Sequence, residues 1–263
     1  MKTVAFILFL SLSLVSCMPD EDLPIKNVGE APEYFIECYC QPGKYLSLAA
    51  TTVLPVSENL EIDFTKEMSV IIHTDRDIEL THTLYTLPGS EFIYNYGSKE
   101  RLQVNGLDSI NLSITTKDGK YVHASTSIPS SVKIQDYKIQ ENEAIISFYT
   151  SMEVNENYYI YSVETIRADS VASKQTCYLD YGEYSPGSLA EKSLVLPKIP
   201  DAEKIIFNLK RITRTNYDYQ VSLSAANTAN QSSITTPVPL KGNLQGALGI
   251  FTCYTEDKVT VSL

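Results

Sequence analysis

Ile110-Asn111-Leu112-Ser113-Ile114-Thr115, then Thr116-Lys117-Asp118-Gly119-Lys120, then Tyr121-Val122-His123-Ala124-Ser125-Thr126-Ser127, decides the fold class. Apolar and polar side chains alternate through Ile110, Leu112 and Ile114, the period-two pattern of a half-buried strand. Asp118-Gly119 at a turn centre accepts the positive φ that a tight hairpin needs, so two antiparallel strands are expected on either side of it. The same grammar extends upstream. Tyr34–Cys40 and Tyr45–Val53 flank Pro42-Gly43, a type II turn signal. Met68–His73 and Ile78–Leu84 flank Thr74-Asp75-Arg76-Asp77, and Glu91–Tyr96 reads as a short strand.

Downstream, Ile128-Pro129-Ser130-Ser131 interrupts the pattern, because proline lacks a ladder donor and serine offers no core contact. Strands resume as Val132–Gln140, Ala144–Thr150, Asn157–Ile166, Ser193–Leu196, Lys204–Ile212 and Tyr217–Ser224, with residues 167–190 read as irregular. No segment shows sustained helical periodicity with caps, and Ala225–Asn230 suggests one helical turn at most. Many short strands between turn signals predict an all-β chain of two immunoglobulin-like or fibronectin-III-like β-sandwiches in tandem. The expected organisation is a signal peptide at 1–16, an acidic tether at 17–33, an N-terminal sandwich at 34–128 and a C-terminal sandwich at 129–263.

The first residues carry an address. Lys2 supplies a positive start, and Val4 to Val15 is apolar except for Ser11 and Ser13. That core suits a secretory signal and is too short for a membrane span. Leu14-Val15-Ser16-Cys17 places small residues before a cleavage point and a thiol immediately after it, the bacterial lipobox arrangement. Cys17 is therefore the expected acylated first residue of the mature chain, anchored to the outer membrane by its acyl chains. Asp20-Glu21-Asp22 close behind it resembles the surface-export signal of Bacteroidota lipoproteins, which would face the protein to the cell exterior.

Removing the signal costs only one positive charge, so the mature chain is still more acidic than the −11 of the full sequence. That balance argues against nucleic acid and anionic membrane partners. The 18 tyrosines, the absence of tryptophan and the many β-branched residues match strand composition. Cys38, Cys40, Cys177 and Cys253 remain after Cys17, and export would permit disulfides among them. Cys38 and Cys40, two apart on a strand, face the same way, to staple neighbouring elements or to fill core space. Zinc is not expected, because no second close cysteine pair accompanies them and the three histidines are scattered.

The closing stretch carries a resemblance. Thr236-Pro237-Val238-Pro239 leads to Gly242-Asn243-Leu244-Gln245-Gly246-Ala247-Leu248-Gly249-Ile250-Phe251. This is similar to the C-terminal signature of a Bacteroidota lipoprotein family known as domain of unknown function 4249, Asn-x-x-Gly-Gly-x-Gly-x-Phe after a Pro-Val pair. Glu37-Cys38-Tyr39 with Pro42-Gly43 resembles that family's opening strand and turn. Lys117–Tyr121 with Ser127-Ile128-Pro129 resembles its middle segment. Ala247 stands where a second glycine is commoner. The resemblance implies an outer-membrane lipoprotein, with members often encoded beside TonB-dependent transporters, and it implies no catalytic residues. Physically, Gly242, Gly246 and Gly249 permit positive φ or close backbone approach and are expected to shape a bulged last connection. A phosphate cradle would need a following helix, which the pattern lacks.

No nucleophile elbow, His-Glu-x-x-His or EF-hand spacing is present, so neither catalytic residues nor a cofactor nor a metal site is expected. His73 and His82 with Asp75 and Asp77 are read as solvated or packed residues. Tyr178, Tyr181 and Tyr184, with Asp180 and Glu183, are read as a loop platform for a sugar or partner surface, since functional groups concentrate on loops. The functional expectation is a non-enzymatic surface lipoprotein serving a TonB-dependent nutrient-uptake system. An adhesin that joins through sandwich edges ranks second, and an envelope hydrolase third.

Overall fold

The computed structural model describes residues 33–53, 64–87, 92–183, 185–231 and 238–263. The signal, Cys17, nearly all of the expected tether, and Tyr184 lie outside them. Among the described residues the chain is all-β apart from one α-helix and a single 3-10 turn at Val154–Glu156.

The strands run in chain order as β1 (Tyr34–Cys40), β2 (Tyr45–Thr52), β3 (Met68–His73), β4 (Asp77–Thr86), β5 (Ile93–Arg101), β6 (Ser109–Thr116) and β7 (Tyr121–Ser127). After the proline linker come β8 (Ile134–Gln140), β9 (Glu143–Tyr149), β10 (Tyr158–Arg167), β11 (Ser170–Asp180), β12 (Leu189–Val195) and β13 (Lys204–Ile212). Helix α1 (Arg214–Asn230) and the long β14 (Leu248–Ser262) close the chain. One sheet has the order β11-β10-β13-β14-β1-β2-β5-β4-β3-β6-β7, and a second has β12-β9-β8.

β4 folds the large sheet over. Its first residues pair with β3, from Asp77 opposite His73 to Leu80 opposite Val70. Its later residues pair with β5, from Thr81 opposite Gly97 onward, with a bulge between His82 and Tyr85. The two arms enclose one apolar core, in which Ile36, Leu48, Val70, Ile72, Leu112, Ile114 and Val122 are almost wholly buried. A second core, formed by Ile146, Phe148, Tyr159, Tyr161, Val163, Phe207 and Leu209, lies between β10–β13 and the three-stranded sheet. Each such side chain contributes about 1.5–3 kcal/mol of burial.

These cores lie to either side of the Pro129 linker, but β14 belongs to both. Leu248–Cys253 runs parallel to β1 and places Phe251 and Cys253 in the first core. Tyr254–Ser262 runs antiparallel to β13, and Val259 and Val261 pack on the second core. The first core is thus completed by residues assigned to the second half of the sequence.

Three expected elements differ. Tyr217–Ser224, read as a strand, is the interior of α1. Thr213 caps that helix by accepting from the Asn216 amide at 3.1 Å. Its buried stripe is Asn216, Tyr219, Ser222 and Ala229, mostly polar, so no apolar 3.6 period marks it. Residues 167–190, read as irregular, contain β11 and the start of β12. Ala168 and Asp169, both at positive φ, make the tight turn between β10 and β11. The stretch read as a final connection ends in β14.

Candidate functional site

Of the expected platform, the structure separates Tyr178 from Tyr181, and Tyr184 lies outside the described residues. Tyr178 is on β11, not in a loop, and its hydroxyl donates to Gln220 Oε1 of α1 at 3.4 Å. Tyr181 follows β11 and turns inward, with its ring 5.9 Å from Phe148 and 6.0 Å from Tyr159. Tyr159 and Tyr161 are core residues, and Tyr161 donates to the Ala144 carbonyl at 2.9 Å.

A hydrogen-bonded chain with hydrolase-like spacing lies on the β3–β4–β6–β7 face. His73 Nδ1 is 2.6 Å from Asp77 Oδ1, and His73 Nε2 is 2.8 Å from Ser113 Oγ, which also meets the Tyr121 hydroxyl at 2.9 Å. Asp75 is not part of it, and His82 sits edge-on to Tyr96. Acyl transfer also needs donors aimed at the developing oxyanion. Ser113 lies mid-ladder, opposite Ile71 on one side and His123 on the other, so its own backbone is committed to the sheet. The arrangement ties four strands together.

The β1–β2–β5 arm of the large sheet carries a denser constellation, centred on Tyr39. Glu37 Oε1 accepts from the hydroxyls of Tyr39 at 3.0 Å and Tyr219 at 2.9 Å. Gln220 Nε2 donates to the Tyr39 oxygen at 3.2 Å and to Asn216 Oδ1 at 3.3 Å. Burial pushes the Glu37 carboxyl above its ordinary range, against the two tyrosine hydrogen bonds that favour its ionised form. Burial and the neighbouring Glu37 together push both tyrosine hydroxyls far up. Away from α1, Tyr39 meets Phe92 at 6.5 Å between ring centres, Phe92 meets Tyr94 at 6.4 Å, and Tyr94 stacks on Tyr85 at 5.7 Å. Gly97 lets Tyr85 lie flat on β5, because a Cβ there would stand 3.0 Å from the tyrosine ring carbons. Further along the face, Lys210 sits 4.6 Å over the Tyr254 ring, and Glu256 takes Lys210, Lys258 and the Asn208 amide.

The closing glycine motif builds the seam between β7 and β14. Gln245 exchanges both backbone hydrogen bonds with His123, at 2.9 and 3.2 Å, and so covers the edge of β7. Asn243 donates to the carbonyls of Ser125 and Phe251 and accepts from the Phe251 amide. Gly246 and Gly249 take φ of 91° and 109°. A Cβ on Gly249 would lie 2.8 Å from the Ile36 carbonyl carbon, and one on Gly246 would lie 2.7 Å from the Tyr121 oxygen. Gly242 abuts the Gly249 carbonyl as tightly. The family model for Domain of unknown function (DUF4249) matches residues 21–260, which span this seam and both cores. The chain belongs to the DUF4249 family. No functionally curated protein matches it. In this DUF4249 chain the signature residues are structural, since they lock the last strand against the first. Ala247 fits because its methyl is buried in the first core.

One feature of this DUF4249 protein was silent in the sequence. Arg211, 4 % exposed, clamps the proline linker: its guanidinium donates to the carbonyls of Ser130, Ser131 and Tyr149 and to the hydroxyls of Ser130 and Tyr159. It stands at the back of a cleft of about 440 Å³ that Lys133, Gln135 and Thr150 help to line. Nothing local marks Arg211 among the basic residues of a strand. The four cysteines among the described residues are free thiols. Cys38 and Cys40 Sγ are 3.7 Å apart, and Cys40 faces Cys253 across the parallel β1–β14 pair. Burial pushes the Cys253 thiol up to about 12, which makes it a poor nucleophile.

Proposed function

We propose that this protein is an outer-membrane lipoprotein displayed at the cell exterior, where it acts without catalysis as a binding or accessory component of a TonB-dependent nutrient-uptake system. The observation that carries the reading is the N-terminal pattern: Lys2, the apolar Val4–Val15, Leu14-Val15-Ser16-Cys17 and the acidic Asp20-Glu21-Asp22 behind it. The all-β body suits a binding role, with a sheet face carrying Tyr39, Tyr85 and Tyr94 next to a charged strip at Lys210, Glu256 and Lys258. Tyrosine rings are enriched at the centre of recognition surfaces, with polar groups at the rim.

The alternative, an assembly subunit that adds strands edge to edge, draws on β8. It is an edge strand of the small sheet, with Tyr137 and Ile139 about 40 % exposed. β7 is less suited to it, because Gln245 already occupies its edge.

Affinity purification from gently solubilised outer membranes tests the proposal. Co-elution of a large outer-membrane transporter in near-equal amount supports it. Recovery of the protein alone rejects the transporter role, and recovery in multiples of itself favours strand-exchange assembly.

A further inference from the structure

The end of the β4–β5 hairpin bears four exposed apolar side chains. Leu84 is 60 % exposed, Phe92 49 %, Ile93 43 % and Leu87 39 %. Tyr85 opposes Tyr94 and Thr86 opposes Ile93, so these side chains gather at one end of one hairpin. Behind them stands the stacked pair Tyr85 and Tyr94, with threonines at 81, 83 and 86. In a chain where one residue in five is Asp, Glu, Lys or Arg, Glu91 is the only one of these between Glu79 and Lys99. Apolar side chains at a tip, tyrosines one step behind and no lysine or arginine make the profile of an interfacial element whose rings sit at headgroup level.

We propose that this hairpin end is a bilayer contact, with Leu84, Leu87, Phe92 and Ile93 entering the headgroup–acyl boundary of the membrane to which the chain is tied. The inference rests on the lipoprotein reading and deepens it. Tyr34 lies seventeen residues beyond Cys17, and even fully extended that stretch spans at most about 60 Å. An acyl group on Cys17 therefore holds the domain within about that distance of the lipid surface, at high effective concentration. No lysine or arginine stands between Glu79 and Lys99 to select an anionic headgroup, so vesicles of zwitterionic lipid isolate the apolar contact from charge effects. A second attachment alongside the acyl anchor would restrict the orientation of the domain and fix which sheet faces outward.

The test exploits the absence of tryptophan. Phe92→Trp and, as a control on the small sheet, Leu189→Trp are each introduced into the full acylated protein and reconstituted in phosphatidylcholine vesicles with or without brominated acyl chains. Leu189 is 59 % exposed, comparable to Phe92. The proposal expects the tryptophan emission of the Phe92→Trp protein to shift to the blue and to be quenched by bromine, while that of the Leu189→Trp protein stays unquenched. Quenching of neither or of both overturns it. So does a Phe92→Trp protein whose indole is unquenched in lipid but becomes shielded when outer-membrane proteins are added, which assigns the hairpin to a protein partner. Leu84→Glu with Ile93→Glu, with an unchanged thermal midpoint, is expected to lower vesicle partitioning of the unacylated Cys17→Ser chain by about tenfold or more. Mass analysis of Cys17 is scored separately, so a missing acyl group refutes the anchor and an unquenched indole at position 92 refutes the contact.

Discussion

Replacing Gly249 by alanine isolates what the closing motif does. Gly249 pairs with Ile36 across the parallel β1–β14 ladder at φ 109°, and a methyl there would sit 2.8 Å from the Ile36 carbonyl carbon and closer still to its oxygen. Two costs add. Holding an L-residue at positive φ costs about 1–2 kcal/mol. Forcing a methyl into a paired backbone costs about 1–3 kcal/mol, because β1 is held by β2 on its other side and cannot retreat. The sum is about 2–5 kcal/mol, a large part of the roughly 5–15 kcal/mol that stabilises a domain. Gly119 is the control. It has φ 80°, but nothing lies within 4 Å of where its Cβ would be, so Gly119→Ala carries only the first cost. Urea unfolding followed by far-UV circular dichroism reads the difference, and Gly249→Ala is expected to lie about 1–3 kcal/mol below Gly119→Ala. Equal losses within about 0.5 kcal/mol would refute the claim that close approach, and not turn geometry, is why glycine stands at 249.

Asn243→Ala removes three hydrogen bonds and leaves Phe251 amide and carbonyl groups unpaired at the seam, an expected loss of about 2–3 kcal/mol by the same assay. Arg211→Lys keeps the charge but not the fork that reaches Ser130, Ser131 and Tyr149, so calorimetry should show a lower melting temperature and a destabilisation of at least about 1–2 kcal/mol. For Glu37 the folded pKa is raised above the ordinary value of 4.5. Its contribution to stability is therefore full below that value and is lost as pH rises toward the folded pKa. Glu37→Gln, whose amide oxygen still accepts from both tyrosines, should unfold at higher urea than the parent at about pH 7 and at equal urea near pH 4, and a less stable variant at neutral pH would reverse the sign. A fluorophosphonate probe should leave Ser113 unlabelled, since its backbone is committed to the sheet and offers no oxyanion donor; labelling that is lost in His73→Ala would establish a hydrolase.

What the sequence made legible follows from range. Ile110, Leu112 and Ile114 with Asp118-Gly119 specify a local hairpin, and β6 and β7 form it almost to the residue. Met68–His73 and Lys204–Ile212 are likewise marked by their own neighbours. α1 escaped because its buried stripe is Asn216, Tyr219 and Ser222, held by hydrogen bonds to Glu37 and neighbouring polar groups and not by apolar contact. β14 escaped because a glycine motif leads into it and its pairing with β1 joins residues more than 200 positions apart, which no local pattern encodes. The same holds for the aromatic face: Tyr39, Tyr85, Phe92 and Tyr94 meet only after β4 bulges and β5 is laid beside it. Tyr178 and Tyr181 look like a loop cluster in sequence, yet one braces α1 and the other packs against Phe148.

The measurement that bears most directly on the account is the mass of the N-terminal peptide of the protein extracted from membranes. The account predicts a peptide that begins at Cys17, with a diacylglyceryl thioether on its sulfur and an acylated amine. A peptide that begins elsewhere, or a Cys17 carrying a free thiol, would contradict the lipid anchor and with it the proposed place of this protein at the outer membrane.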